Sequence, residues 1–314
     1  VDSSSLTYSV SGSELLMTAE GVLTFVAAPD YETKSSYTAT VTVTDGGLSA
    51  SQPITVTINN LNDNSPVFTS STSFSADENQ TAIATLTATD ADGDSPTFSV
   101  SGTELTVTSG GVLTFASEPD YETKTSYTAT VTANDGANST TQSITVSVNN
   151  LNDNAPVVTS SATFSRVEGC VGGSSADCWD LGTVTATDAD GDSMTYAVVT
   201  PNPPATGYEL KIDETSGLLS LRFVADYETK KTYTGTVTVS DGSFATDFEV
   251  TANITDVDDE DPVITSSATF SADENQTAIG TVTATDADDL ETSANTNFVV
   301  SGSELSVSSA GVLT

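Results

Sequence analysis

The sequence predicts an all-β chain: a linear tandem array of seven-stranded Greek-key β-sandwiches. Three observations predict it. Apolar residues alternate with Thr and Ser at period two, long blocks of sequence recur in register, and turn residues separate short strand-like runs. The alternation is clearest in Tyr127-Thr128-Ala129-Thr130-Val131-Thr132-Ala133 and Ile144-Thr145-Val146-Ser147-Val148, with Val41-Thr42-Val43 as a further case. Such runs turn one face to a core and the other to water. Nothing in the chain reads as an amphipathic helix.

In the second block, strands are expected at 67–76, 83–89, 97–101, 104–108, 111–116, 126–134 and 141–149. Asp92-Gly93 turns the chain between the second and third, Gly110-Gly111 between the fourth and fifth, and Asp135-Gly136 between the last two. The last strand runs straight into a linker, so sandwich should follow sandwich in a line.

The repeat can be counted. Asp30 to Asp120, Pro66 to Pro156 and Glu78 to Glu168 are each 90 positions apart, and the next copy, Asp120 to Asp226 or Pro156 to Pro262, runs at 106. Repeats of this size can each bury a core of their own, which units of about 20–45 residues cannot. The expected division is a partial repeat at 1–64 without its N-terminal strands, complete repeats at 65–154 and 155–260, and a partial repeat at 261–314 without its C-terminal strands. The third repeat carries two insertions, one holding Cys170 and Cys178, the other Pro-rich around Pro201, Pro203 and Pro204. An even Cys count in one short loop reads as a disulfide formed in an oxidising compartment. The absence of His argues against zinc.

With 44 acids against 7 bases the formal charge is −37. That disfavours nucleic acid and anionic membrane surfaces as partners, but not divalent cations. No stretch is long and apolar enough to span a bilayer, and Val1 opens no signal-peptide pattern, so the chain reads as an internal segment of a longer fibre. Enzyme chemistry is disfavoured as well: there is no His for acid–base work, both Cys are expected to pair, and no Gly-rich loop precedes a helix.

Each repeat boundary carries an acidic or Asn-rich linker before a Pro: Asn60-Leu61-Asn62-Asp63-Asn64, Asn150-Leu151-Asn152-Asp153-Asn154, and Asp256-Val257-Asp258-Asp259-Glu260. Around the linkers recur a Glu near the end of the first strand (Glu78, Glu168, Glu274), an Asp-Tyr-Glu, an Asp-Ala-Asp and an Asp-Gly. In this fixed order the five motifs resemble those of cadherin repeats, which share an Ig-like architecture. Asp-Tyr-Glu where animal cadherins show Asp-Arg-Glu, and the Thr-rich, Lys-poor style, resemble a prokaryotic version.

The resemblance implies calcium, about three ions at each junction. At the first it implies Asp30, Glu32, Asn60, Asn62, Asp63 and Asn64 with Asp90, Asp92 and Asp135. At the second it implies Glu78, Asp120, Glu122, Asn150, Asn152, Asp153 and Asn154 with Asp188, Asp190 and Asp241. At the third it implies Glu168, Asp226, Glu228, Asp256, Asp258, Asp259 and Glu260 with Asp286 and Asp288. Asp2, Asp45, Asp94 and Asp192 are weaker ligands. The chemistry agrees, because calcium takes six to eight oxygens in flexible geometry and acids massed without cations repel one another.

Turn chemistry alone explains any single Asp-Gly or Asp-Ala-Asp, but it does not require Glu78 and Asp120 at fixed offsets. Tyr31, Tyr121 and Tyr227 read as packing residues. Asn79, Asn138, Asn253 and Asn275 open Asn-x-Ser/Thr tripeptides, which matter only in a glycosylating host. Two functions follow. One is a calcium-stiffened extracellular or cell-surface rod, stalk or filament for adhesion or matrix building, whose partners are further repeats of the same chain or other copies. The other is an array that binds a polysaccharide or cell-surface protein through the loops of the third repeat, where an exposed Trp179 would favour binding and a covered one scaffold.

Overall fold

Residues 5–169, 179–199, 209–288 and 297–314 are described in the computed structural model, and among them there are β-strands but no α-helix. The chain divides into two compact units, Val1–Leu151 and Asn152–Thr314. Cys170, Cys178, Pro201, Pro203, Pro204 and Asp2 lie outside the described residues, and with them the expected disulfide.

The first unit opens with a sheet of Thr7–Val10, Ser36–Thr44 and Ser49–Thr57, beside a hairpin of Leu15–Met17 and Leu23–Phe25. A full sandwich follows. Its larger sheet runs Thr97–Val100, Ser126–Asn134, Ser139–Asn149, Ser73–Asp77, and its smaller sheet Leu105–Val107, Val112–Phe115, Ala82–Thr85. The alternating residues do what their period requires. Val131, Ile144, Val146 and Val148 face Leu86, Leu105, Leu113 and Phe115 across a buried core, each large aliphatic contributing about 1.5–3 kcal/mol relative to exposure.

Two of the seven expected strands are split. Residues 67–76 become Val67–Phe68, antiparallel to Ala88–Thr89, and then Ser73–Asp77, parallel to Ser139–Asn149. The strand changes sheets between these segments, where Ser71 Oγ accepts from Ser73 N (3.0 Å) and donates to Ser73 O (2.9 Å). Residues 83–89 divide into Ala82–Thr85 and Ala88–Thr89 around Leu86, whose N donates to Gly111 O at 2.8 Å. Gly111 has φ +90°, and a Cβ there would lie 2.4 Å from Leu86 O. Only glycine fits both demands.

The second unit repeats the plan. Thr195–Val198, Thr232–Ser240, Ala245–Thr255 and Thr163–Val167 form one sheet, and Asp180–Thr183, Leu218–Leu221 and Leu210–Ile212 the other. Val184, Leu219, Leu221, Val237, Val239 and Val250 fill its core. Val263–Ile264 paired with Ala284–Thr285, and Gly280–Thr281 paired with Val312–Leu313, begin the same pattern again.

One surface contact recurs that the motifs did not announce. Lys34, Lys124 and Lys230 pair with Glu14, Glu104 and Glu209. Each ammonium also sits over a ring, Tyr37, Tyr127 or Tyr233, at 4.4, 4.3 and 4.8 Å from its centroid.

Candidate metal centre

The acidic motifs sit where strands end. Glu78, at the end of Ser73–Asp77, is 2% exposed; its Oε2 accepts from Tyr121 N (2.7 Å) and its Oε1 from Leu151 N (2.8 Å). Glu168 is 3% exposed and does the same with Tyr227 N (2.5 Å) and Val257 N (2.7 Å). Each buried carboxylate thus ties the Asp-Tyr-Glu turn to the start of a linker. Within that turn, Asp30, Asp120 and Asp226 accept from the backbone and hydroxyl of Thr33, Thr123 and Thr229. For these three Asp, turn chemistry is part of the role.

In the first unit, linker 60–64 lies against Asp92 and Asp135. Asp92 Oδ2 accepts from the backbone N of Asp63 (3.1 Å) and Asn64 (2.8 Å), and its Oδ1 accepts from Asn64 Nδ2 (2.9 Å). Asn60 Nδ2 donates to Asp92 O at 2.7 Å, and Asn62 Nδ2 to Asp135 O at 3.5 Å. Carboxylate oxygens of Glu32, Asp63 and Asp92 lie within 4.8 Å of one another, as do those of Asp90, Asp92 and Asp94. Burial works against the charge on Asp92, but the Asn64 and Asp63 hydrogen bonds prevail and hold its carboxyl below the usual range. Asp135 is held low chiefly by the N–H of Asn138, against burial. Glu32 moves the other way: its own backbone N–H is outweighed by burial and by Asp92 and Asp30.

In the second unit, Asp190 Oδ2 accepts from the N of Asp153 (3.0 Å) and Asn154 (2.8 Å), as Asp92 does in the first. Asp188, Asp190 and Asp192 form one cluster and Glu168, Asp226 and Glu228 another. Asp241 is held low although burial opposes it, by the N–H groups of Phe244 and Ser243 and by Asn152. Linker 256–260 differs in kind. Glu260 N donates to Asp288 Oδ2 at 2.5 Å, but the carboxyls of Glu228, Asp256 and Asp259 are pushed up, first by burial and then by Glu168 and Asp288.

The donor set fits a hard cation. Asp90 Oδ2, Asp135 Oδ2, Asp188 Oδ2, Asp241 Oδ2, Glu228 Oε1, Asp288 Oδ1 and both oxygens of Asp256 are buried and meet no hydrogen-bond donor among the described residues. Burying an unpaired carboxylate oxygen is costly, and a hard cation with oxygen ligands offsets it.

A family model described as a Bacterial Ig domain matches residues 62–149. The human cadherin EGF LAG seven-pass G-type receptor 1 is 31% identical over 243 residues, 71% of this chain and 8% of that protein. Mouse protocadherin Fat 4 is 29% identical over 327 residues, 94% of this chain and 6% of its own length. Among solved structures, the protocadherin gammaB7 EC3-6 cis-dimer covers all of this chain (100%) and 85% of its own, with a TM-score of 0.72 at 22% identity. Mouse cadherin-23 EC22-24 covers 81% of this chain and 87% of its own, with a TM-score of 0.61 at 22% identity. This chain is built of cadherin-like repeats. It spans less than a tenth of either curated relative named here.

Within these cadherin-like repeats, Asp63, Asp90, Asp92, Asp94, Asp188, Asp190 and Asp192 stand in the clusters and hydrogen bonds just described. Asp256 and Asp259 each lie in the field of Asp288, and Asp259 in that of Asp258 as well, and Asp286 Oδ1 accepts from Asp288 N at 3.2 Å. Glu122 and Asn150 are exposed beside the anchored turn and linker. Asp45 caps its own hairpin through the N of Gly47 and Leu48, and Glu274 is exposed where Glu78 and Glu168 are buried. Tyr121 and Tyr227 pack on their cores, as read from the sequence, whereas Tyr31, read the same way, is exposed. Trp179 is half-buried with Lys211 Nζ 5.1 Å from its ring centroid. The motifs missed one residue: Asn138, whose amide reaches into linker 60–64. No helix among the described residues is long and apolar enough to cross a membrane.

Proposed function

We propose that this chain is a structural or adhesive segment of an extracellular repeat protein, with repeats at 1–64, 65–154, 155–260 and 261–314 and calcium stiffening the linkers. The observation that carries this reading is the set of buried carboxylate oxygens without donors, recurring at the same motif positions: Asp90 and Asp188, Asp135 and Asp241. Turn capping uses one oxygen of such an Asp and leaves the other free for a ligand that prefers oxygen.

Calcium would supply the positive charge that these oxygens lack. The residues of the chain divide the remaining work. Glu78 and Glu168 fix where a linker begins, through backbone N–H groups rather than flexible side chains. Asp92 and Asp190 hold linker backbone in place through two N–H groups each. Glu32, Asp63, Asp90 and Asp135, and in the second unit Glu168, Asp226, Glu228, Asp256 and Asp288, would face the cations. The sequence similarity to cadherin-family proteins supports an adhesive, extracellular setting.

The test is native mass spectrometry of the whole chain titrated with calcium chloride, paired with electron microscopy in calcium and in chelator. Several ions per chain are expected, with a narrow distribution of end-to-end lengths that broadens in chelator while β-sheet circular dichroism persists. A chain that binds no calcium, or whose length distribution ignores it, would overturn the proposal.

A further inference from the structure

Asn138 sits on the hairpin that follows Asp135. Asp135 N donates to Asn138 O (3.2 Å) and Asn138 N to Asp135 Oδ1 (2.7 Å). With the backbone so fixed, Asn138 Nδ2 reaches three oxygens of the first linker: Asn64 O at 3.1 Å, Asn62 Oδ1 at 3.2 Å and Asn62 O at 3.4 Å. Two of these are backbone carbonyls, which only accept, so the group facing them must be the NH₂ end of the amide. A nitrogen that gathers three oxygens stands where a cation would otherwise satisfy them.

The third repeat supplies the comparison. Its hairpin makes the same backbone bonds, Asp241 N to Phe244 O (3.3 Å) and Phe244 N to Asp241 Oδ1 (2.7 Å), but the side chain at this place is Phe244, 41% exposed. Asn152, the counterpart of Asn62, there has an Oδ1 that is buried and meets no donor among the described residues. The same oxygen is met by an amide at one hairpin and left open at the other.

We propose that the Asn138 amide is a built-in substitute for one cation at linker 60–64. That linker takes one ion fewer than its oxygens would otherwise hold, and it stays docked when calcium is withdrawn. Asn60 and Asn64 add to the second effect through their bonds to Asp92. The corresponding Asp256 and Glu260 have no amide with which to do so. The inference rests on the calcium reading above and makes its own claim about one residue.

Two variants of the whole chain test it: Asn138→Ala, which removes the amide, and Asn138→Phe, which carries the residue the third repeat already accommodates. Calcium is counted by native mass spectrometry, and backbone hydrogen exchange at Asp63 and Asn64 is followed in chelator. Both variants should bind one more calcium than the parent. In chelator, the two amides should exchange slowly in the parent and roughly tenfold faster in the variants. Equal non-zero counts in all three chains would overturn the substitution, and fewer ions in the variants would make Asn138 a ligand instead. No calcium in any chain would overturn this inference together with the calcium reading, whereas equal counts leave the latter standing.

Discussion

At the scale of single residues, the turns beside the linkers depend on buried groups whose loss is not cushioned. Glu78 spends both oxygens on backbone N–H groups. Glu78→Ala should destabilise the chain by about 2–4 kcal/mol, with Glu78→Gln recovering roughly half by keeping one acceptor; urea denaturation followed by circular dichroism measures it. Gly111 and Gly93 both have positive φ, but only at Gly111 would a Cβ strike the backbone. Gly111→Ala should therefore cost about 2–4 kcal/mol and Gly93→Ala about 1, read as the difference in their melting midpoints. Glu78 was legible in the sequence because it recurs at a fixed offset from Asp120. The N–H groups it holds were not, since every residue but Pro carries one. Asn138 was legible only as the start of an Asn-Ser-Thr tripeptide, because nothing in the residue itself says that its hairpin leans on linker 60–64.

At the scale of elements, alternation identified the long strands well, since Ser126–Asn134 and Ser139–Asn149 each keep one face buried. It could not show the first strand changing sheets at Ser71, where the inward face continues while the hydrogen-bond partner switches. The Lys–Glu–Tyr contact has a sequence signal of its own: Glu104 precedes Lys124, and Glu14 precedes Lys34, by 20 residues each. Both members of the second pair are well exposed, 40% and 54%. Lys124→Met should accordingly cost under about 1 kcal/mol, and less at high salt. The third linker should respond to pH. Glu228, Asp256 and Asp259 have raised folded values, so the folded chain binds more protons than the unfolded one just above the ordinary carboxyl range. The contribution of these three groups to metal-free stability should then fall as pH rises through those raised values, in a range where the carboxyls held low, such as Asp92 and Asp135, are already ionised folded and unfolded alike. Thermal melts in chelator across that range should show the slope, and Asp256→Asn with Asp259→Asn should flatten it.

At the scale of the whole molecule, a charge of −37 has to be managed by something other than the 7 bases, three of which are committed to their Glu partners. In chelator, raising ionic strength from about 0.01 to 0.15 M shortens the screening length from about 30 to 8 Å. The radius of gyration from solution scattering should shrink over that range, and in calcium it should hardly change. The repeat period of 90 made the tandem plan legible from the sequence, whereas the insertions of the third repeat carry no partner elsewhere in the chain against which to be read. The pairing of first strand with last adds a mechanical consequence. Ser73–Asp77 runs parallel to Ser139–Asn149 through five residue pairs, and Thr163–Val167 likewise to Ala245–Thr255. Tension entering by one strand and leaving by the other pulls along the ladder, so all its rungs carry load in shear at once. A sandwich strung this way does not unzip from an end; it holds until the whole ladder fails.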